Sequence, residues 1–167
     1  MSTAGKVAAL SAFIGLFGAI MFVCPEEIVK NVMIIIAVVA ALTMIIGNIT
    51  AIKQSNVKRM LAYSSVGHAG YMMMGIVVNS KVGVDAILYY SLAYILTQVG
   101  AFTIIGIVET KEEKQLEVTD YAGISKKYPF LAATFAMFLF SLAGIPPFAG
   151  FFGKYFLFKA AIDGGFM

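Results

Sequence analysis

The most constraining stretch is at the carboxyl end. From Phe130 to Ile162 there are 33 residues, and only Lys154 and Lys159 are charged. As one straight α-helix this would be about 50 Å long, against a hydrocarbon core about 30 Å thick. Such a segment must tilt, protrude or break. Gly144-Ile145-Pro146-Pro147 predicts a break, because each proline lacks an N–H, clashes with the preceding turn and forces the residue before it out of the α region. The backbone groups freed there cannot face lipid, so the break is expected inside a bundle or beside water. Lys154 follows the second proline by a few residues, in the second half-helix. A broken membrane helix with an ammonium near its break is an arrangement used to handle ions in transport.

The rest of the chain agrees with a membrane protein. It is 60% hydrophobic and only 13% charged, whereas a soluble domain carries about a quarter charged residues. The net charge of +3 is spread over loops, which disfavours a nucleic-acid partner. The single cysteine, Cys24, excludes an internal disulfide and an iron–sulfur cluster, and the single histidine, His68, excludes a bis-histidine haem. The Met1 end has no basic stretch and cleavage site of the kind that marks a signal peptide. Asn48-Ile49-Thr50 matches a glycosylation pattern but falls inside a predicted span.

The fold class expected is all-α integral membrane: five transmembrane helices, the last one discontinuous at Gly144–Pro147. The first four are predicted at Ser2–Val23, Val32–Ile52, Leu61–Val78 and Asp85–Val108. Glu26, Glu27 and Lys30 read as a polar turn, and Asp85 and Glu109 as caps of the fourth helix. Residues 109–128 read as a charged loop in which Asp120 caps a short helical run from Tyr121 to Lys127. Lys53, Lys58, Arg59, Lys111, Lys114, Lys126 and Lys127 lie in the second and fourth connections, against Lys30 and Lys81 in the first and third. That asymmetry predicts that the second and fourth connections, 109–128 included, are cytoplasmic, with the amino end on the cytoplasmic side and the carboxyl end outside. Five spans are odd in number, and Lys6 sits close to the visible start. Both features suggest a piece of something longer.

Lys154 is the first candidate for chemistry. Desolvation disfavours a lysine's charged form, so both protonation states come within reach; the bland reading is a snorkelling side chain. Lys159, nearer the outer face, fits snorkelling. For Lys6, only about 6 Å into its helix, snorkelling and function both stand. Ser64, His68 and Tyr71 fall at i, i+4 and i+7 on one helix face and form either a proton-relay stripe or an interhelical hydrogen-bonding surface. Tyr90, Tyr94, Thr97 and Gln98 make a similar stripe on the fourth helix, where packing between helices is the favoured role. No Ser-His-Asp set, metal cluster or phosphate loop is visible.

Two stretches carry a resemblance. Residues 56–71, NVKRMLAYSSVGHAGY, and residues 141–154, SLAGIPPFAGFFGK, resemble the antiporter-like membrane subunits of bacterial respiratory complex I, the NADH–quinone oxidoreductases. The likeness extends over essentially the whole chain and implies a single bundle, residues 1–167, matching the family's eighth to twelfth helices. It implies that Lys154 is the proton-channel lysine of the discontinuous helix, that Lys6 is the lysine bridging two half-channels, and that His68 is a polar group on the central axis. Gly144, Pro146 and Pro147 then form the helix break, with Ser64, Tyr71, Tyr94 and Thr97 as supporting polar groups. It further implies proton translocation coupled to quinone reduction in partner subunits of a respiratory complex in the bacterial inner membrane. NADH, FMN, iron–sulfur clusters and quinone would be held by those partners, with no cofactor, metal or redox site in this chain. The family's input half-channel, a fifth-helix glutamate and a seventh-helix lysine, has no counterpart here. A multisubunit cation/proton antiporter, a membrane-bound hydrogenase or a purely structural membrane anchor are the alternatives.

Overall fold

A computed structural model describes residues 2–78 and 80–164; the side chains of residues 2–4, 6, 7, 10, 21 and 22 fall outside the description. The described chain is helical throughout, without a strand. Its long elements are α1 (Ser2–Val23), α2 (Glu26–Ile52), α3 (Val57–Val77) and α4 (Lys81–Glu112). A 3₁₀ turn (Val118–Tyr121) and the single-turn α5 (Ile124–Lys127) lead into α6 (Pro129–Ala143) and α7 (Ala149–Asp163). The helix ends follow local chemistry. Asn56 accepts from Arg59 N at 3.1 Å and Ser80 Oγ accepts from Gly83 N at 3.1 Å, starting α3 and α4. Pro129 occupies the first position of α6.

Several boundaries differ from the sequence reading. Helix α3 begins at Val57 rather than Leu61, because Asn56 caps it, so Lys58 and Arg59 lie in its first turn and not in the connection. Glu26, Glu27 and Lys30 belong to the first turns of α2, where the two carboxylates complement the helix dipole, so the polar run is helix rather than turn. Asp85 and Glu109 lie within α4; its caps are Ser80 and Glu113, the latter left-handed at φ 54°. The helix therefore runs through Glu112, four residues into the expected loop. Asp120 does not cap a run from Tyr121 to Lys127. It closes a capping box with Glu117 in the 3₁₀ turn, and Gly123 precedes α5.

The core runs along the facing sides of α2, α3, α4 and α7, with Met33, Ile36, Leu61, Met72, Ile87, Tyr90, Ile105 and Leu157 buried. Apolar side chains also cover the outside. On α4, Leu88, Leu92, Leu96 and Val99 form an exposed stripe, and α2 exposes Ile34, Ile35, Val38, Val39, Leu42, Ile45 and Ile46. Surfaces this apolar are at home in lipid or against other apolar helices. Among the described residues, α2 and α4 are long and apolar enough to cross a membrane. At 15 residues each, α6 and α7 are about 22 Å long, so neither half alone matches a bilayer core.

The two basic connections meet at one end of the bundle. Lys58 pairs with Glu109, whose other oxygen accepts from Leu116 N at 3.3 Å. Val118 N donates to Ser55 O at 2.8 Å, and Leu116 is buried beneath this junction. Lys114–Asp120 at 2.9 Å and Lys127–Glu112 at 3.0 Å complete the charged layer.

Candidate functional site

The site begins with backbone bookkeeping at the break. A helix leaves its last four carbonyls without intrahelical partners, and for α6 these belong to Phe140, Ser141, Leu142 and Ala143. Gly144, at φ 86°, turns the chain left-handed, a conformation that costs any residue with a Cβ. That turn lets Ile145 N donate to Phe140 O at 3.0 Å and Gly144 N to Ser141 O at 3.1 Å, a Schellman closure. The remaining two carbonyls are met from the other half-helix: Lys154 Nζ donates to Leu142 O at 2.8 Å and to Ala143 O at 3.0 Å. An ammonium is favoured there a second time, because it sits at the negative end of the α6 dipole.

The start of α7 is secured in the same way. Ser141 Oγ accepts from Gly150 N at 3.2 Å, and Phe151 N donates to Phe148 O at 3.0 Å. Pro146 and Pro147, joined by a cis peptide, have no N–H to satisfy. Within the described residues the bundle covers only one side of the break. Ile145, Pro146 and Pro147 are exposed, and the nearby N–H groups are satisfied locally instead.

Beside the break lies an open cavity of about 480 Å³, lined by residues of α2, α3, α6 and α7. Lys154, Ser64, His68 and Tyr71 all border it, so the predicted i, i+4, i+7 stripe of α3 does face the lysine. The Lys154 ammonium sits 5.1 Å from the centre of the Tyr71 ring, a cation–π distance. Tyr71 in turn meets His68 edge-on at 5.9 Å, and Tyr94 lies against the imidazole at 5.1 Å between ring centres. The imidazole Nδ1 lies 2.5 Å from Tyr90 Oη.

Not every candidate joins this group. Thr97 turns its hydroxyl onto its own helix, bonding Ala93 O at 2.8 Å and Tyr94 O at 3.1 Å, and does not border the cavity. Gln98 reaches Leu61 O at 3.4 Å, a tie between α4 and α3 of the packing kind expected for that stripe. Lys6 lies on α1, but its side chain is outside the described residues. Lys159 is exposed. Three participants escaped the sequence reading. Tyr90 appeared only as a packing residue; Ser141 carried no signal beyond being a polar residue beside the break. Asn48, which borders the cavity from α2, was considered only for glycosylation, although an amide inside an apolar helix is itself a signal.

Comparison with known proteins bears on what such a site belongs to. The profile of the family described as "NADH:quinone oxidoreductase/Mrp antiporter, TM" matches residues 4–167. The chain belongs to that membrane family. Within it, the chain is 48% identical over 130 residues to NADH-quinone oxidoreductase subunit N of Trichlorobacter lovleyi, a match covering 78% of this chain and 27% of that protein. It is also 48% identical over 164 residues to subunit N 1 of Chloroherpeton thalassium, covering 98% of this chain and 34% of the relative. Among solved structures it resembles a chain of respiratory complex I from Thermus thermophilus, determined with bound aureothin. That match has a TM-score of 0.65 and 33% identity, over 85% of this chain and 30% of the other. The chain thus spans about a quarter to a third of the length of the relatives it matches in this NADH:quinone oxidoreductase/Mrp antiporter family.

Proposed function

We propose that this chain forms part of a proton-translocating membrane subunit of an NADH–quinone oxidoreductase. In this reading, quinone reduction in partner subunits drives H⁺ through buried lysines of the bundle, and the redox cofactors stay with those partners. Helices α1 to α4 and the α6–α7 pair each serve as one span, five in all, corresponding to the eighth to twelfth helices of the longer relatives. The end where the basic connections meet faces the cytoplasm, by the excess of Lys and Arg there, and the carboxyl end faces out. The exposed side of the break and the apolar outer faces are where the remaining helices of a longer subunit, neighbouring subunits and lipid would pack.

One observation carries the reading: the Lys154 ammonium stands between the end of α6 and a cavity bordered by Ser64, His68 and Tyr71. The half-buried position of this lysine, held by two carbonyls beside that cavity, supports a role in handling protons. Waters in such a cavity could pass a proton between hydroxyl, imidazole and amine, since each of these groups both donates and accepts in one of its states. Lys6 would feed the path from α1.

The test is Lys154→Met in the full-length subunit, assembled in its complex and reconstituted in vesicles. The expected result is an assembled complex whose quinone-linked proton pumping falls to background. Unchanged pumping with the complex intact would overturn the reading and leave a membrane anchor. The Mrp side of the family description gives the rival transporter, an antiporter subunit. Purification without any quinone-reducing partner would favour it.

A further inference from the structure

The two half-helices cap each other. Lys154 of α7 meets the carbonyls of Leu142 and Ala143 in α6, and α6 meets the start of α7 in return. The first N–H groups of a helix lack intrahelical partners, and a short polar side chain just before the helix usually meets one of them. Phe148 stands at that place before α7 and offers no such oxygen. The Gly150 N–H reaches back nine residues and donates to Ser141 Oγ at 3.2 Å, with both residues buried. The approach is close: a Cβ on Gly150 would lie 1.8 Å from Ser141 O. Gly150 and Lys154 are four residues apart, so they share a face of α7 and stand about 6 Å from each other along it. The bonds that hold the lysine head and the bond that holds the first turn of α7 therefore join the same two stretches of chain.

We infer that Ser141 is a positioning residue for Lys154: its hydroxyl seats the first turn of α7 against the last turn of α6 and so aims the amine at the border of the cavity. This rests on the proton translocation proposed above. Ser141 does not border that cavity itself, so it acts through the lysine and not on the proton. The rest of α7 is anchored elsewhere. Leu157 and Ala160 are buried, and Gly153 packs so closely on α4 that a Cβ would come within 2.5 Å of the Tyr90 ring. Without the hydroxyl, Gly150 N becomes a buried donor with no acceptor, a state that favours a local shift of the first turn. That shift carries the Lys154 stem with it. The head then loses its alignment with Leu142 O and Ala143 O and its place 5.1 Å from the centre of the Tyr71 ring. Proton transfer needs donor and acceptor within hydrogen-bond reach, directly or through one water, so a displacement of about 1 Å is felt in the rate.

The experiment compares Ser141→Ala and Ser141→Thr in the full-length subunit, assembled in its complex and reconstituted in vesicles. Alanine removes the accepting oxygen and threonine keeps it. Ser141→Ala is expected to assemble, since the contact of α7 with α4 is untouched, and to slow pumping by about two- to tenfold, the range for losing one hydrogen bond. Ser141→Thr is expected to recover most of that loss. The ¹⁵N resonance of the Lys154 amine, identified by its absence in Lys154→Met, is expected to move in Ser141→Ala and to return in Ser141→Thr. A hydroxyl that only stabilised the fold would leave that resonance in place. Unimpaired pumping in Ser141→Ala, an unmoved amine resonance, or threonine no better than alanine would each overturn the inference. So would failure of Ser141→Ala to assemble, because the hydroxyl would then serve folding. The two proposals fail separately. If Lys154→Met leaves pumping intact, the translocation reading falls while the amine resonance still reports on Ser141; if Lys154→Met abolishes pumping while Ser141→Ala is silent, only the role of Ser141 falls.

Discussion

Replacing Gly144 with alanine should expose how tightly the break and the lysine depend on one another. The backbone at φ 86° is left-handed, and a Cβ there costs about 1–2 kcal/mol on conformational grounds alone. A second cost is steric. The new methyl would sit 3.0 Å from Lys154 Cδ and 3.3 Å from Nζ. A lysine stem is flexible and could yield a few tenths of an ångström. Its head, however, is held by two carbonyls at 2.8 and 3.0 Å, so yielding stretches or breaks one of these bonds. A hydrogen bond to a charged group contributes about 1.5–3 kcal/mol, which puts the whole effect at about 2–4 kcal/mol after partial relaxation. Asparagine separates the two costs: it tolerates the left-handed region better but carries the same Cβ. Unfolding of the full-length subunit in mixed detergent, read in parallel with vesicle pumping, should rank glycine above asparagine above alanine. In a Lys154→Ala background the steric part should vanish, leaving only the backbone part. Alanine at 144 with wild-type stability and pumping, or asparagine no better than alanine, would refute the reasoning.

Gly153→Ala should destabilise the α4–α7 contact by about 1–3 kcal/mol, the usual cost of overpacking, because the methyl meets the Tyr90 ring at 2.5 Å. Gly106→Ala, where nothing lies within 4 Å, serves as the control in the same unfolding assay and should be neutral or stabilising by up to about 1 kcal/mol, the helix-propensity gain of alanine over glycine. Glu109→Ala should free residues 113–121 from the bundle end, since Glu109 holds both Lys58 and the Leu116 N–H. The loss is about 1–3 kcal/mol of local stability, seen as faster protease cleavage in that segment. Around Asp120, the hydrogen bond from Lys114 and then the backbone N–H of Glu117 hold the carboxyl below its ordinary value of 3.8. A lowered native pKa gives stabilisation that is complete above the unfolded value and lost as pH falls through the native one. Amide exchange at 117–121 should therefore accelerate on acidification below about pH 4 relative to its intrinsic rate, and Asp120→Asn should flatten that response.

Much of this was legible in the residues. The Gly-Ile-Pro-Pro run announced the break because proline and left-handed glycine act through the backbone, whatever surrounds them. The spacing of Ser64, His68 and Tyr71 announced one face for the same reason: helical periodicity is local. The partner of that face was not legible. Tyr90 and Lys154 reach His68 and Tyr71 from other helices, and a single sequence does not encode which stripes meet. Boundaries failed where charge was taken for turn. Glu26 and Glu27 are good first-turn residues, and α4 continues to Glu112 because its last turn has carboxylates whose lysine partners, Lys58 and Lys127, come from elsewhere in the chain. Ser141 was invisible because its importance lies in satisfying Gly150 N nine residues later, across the break.

Lys154 occupies a position that calls for a two-fold N–H donor for purely structural reasons, so its presence alone does not establish a carrier. The hydrogen-bond count decides what else it can do. An ammonium has three donors, and two are committed to Leu142 O and Ala143 O. The third is free for the cavity side. If that proton leaves, the neutral amine keeps two N–H groups for the two carbonyls and turns a lone pair to the cavity. The cap can thus survive a protonation cycle, which a site built for stability alone would not need. Arginine separates the two roles, because a guanidinium has donors enough for both carbonyls but does not deprotonate in proteins. Lys154→Arg should keep the subunit's unfolding resistance much nearer to wild type than Lys154→Met does, and yet pump no better than Lys154→Met. If arginine restored pumping along with stability, Lys154 would be a cap and the carried proton would have to be sought on another group.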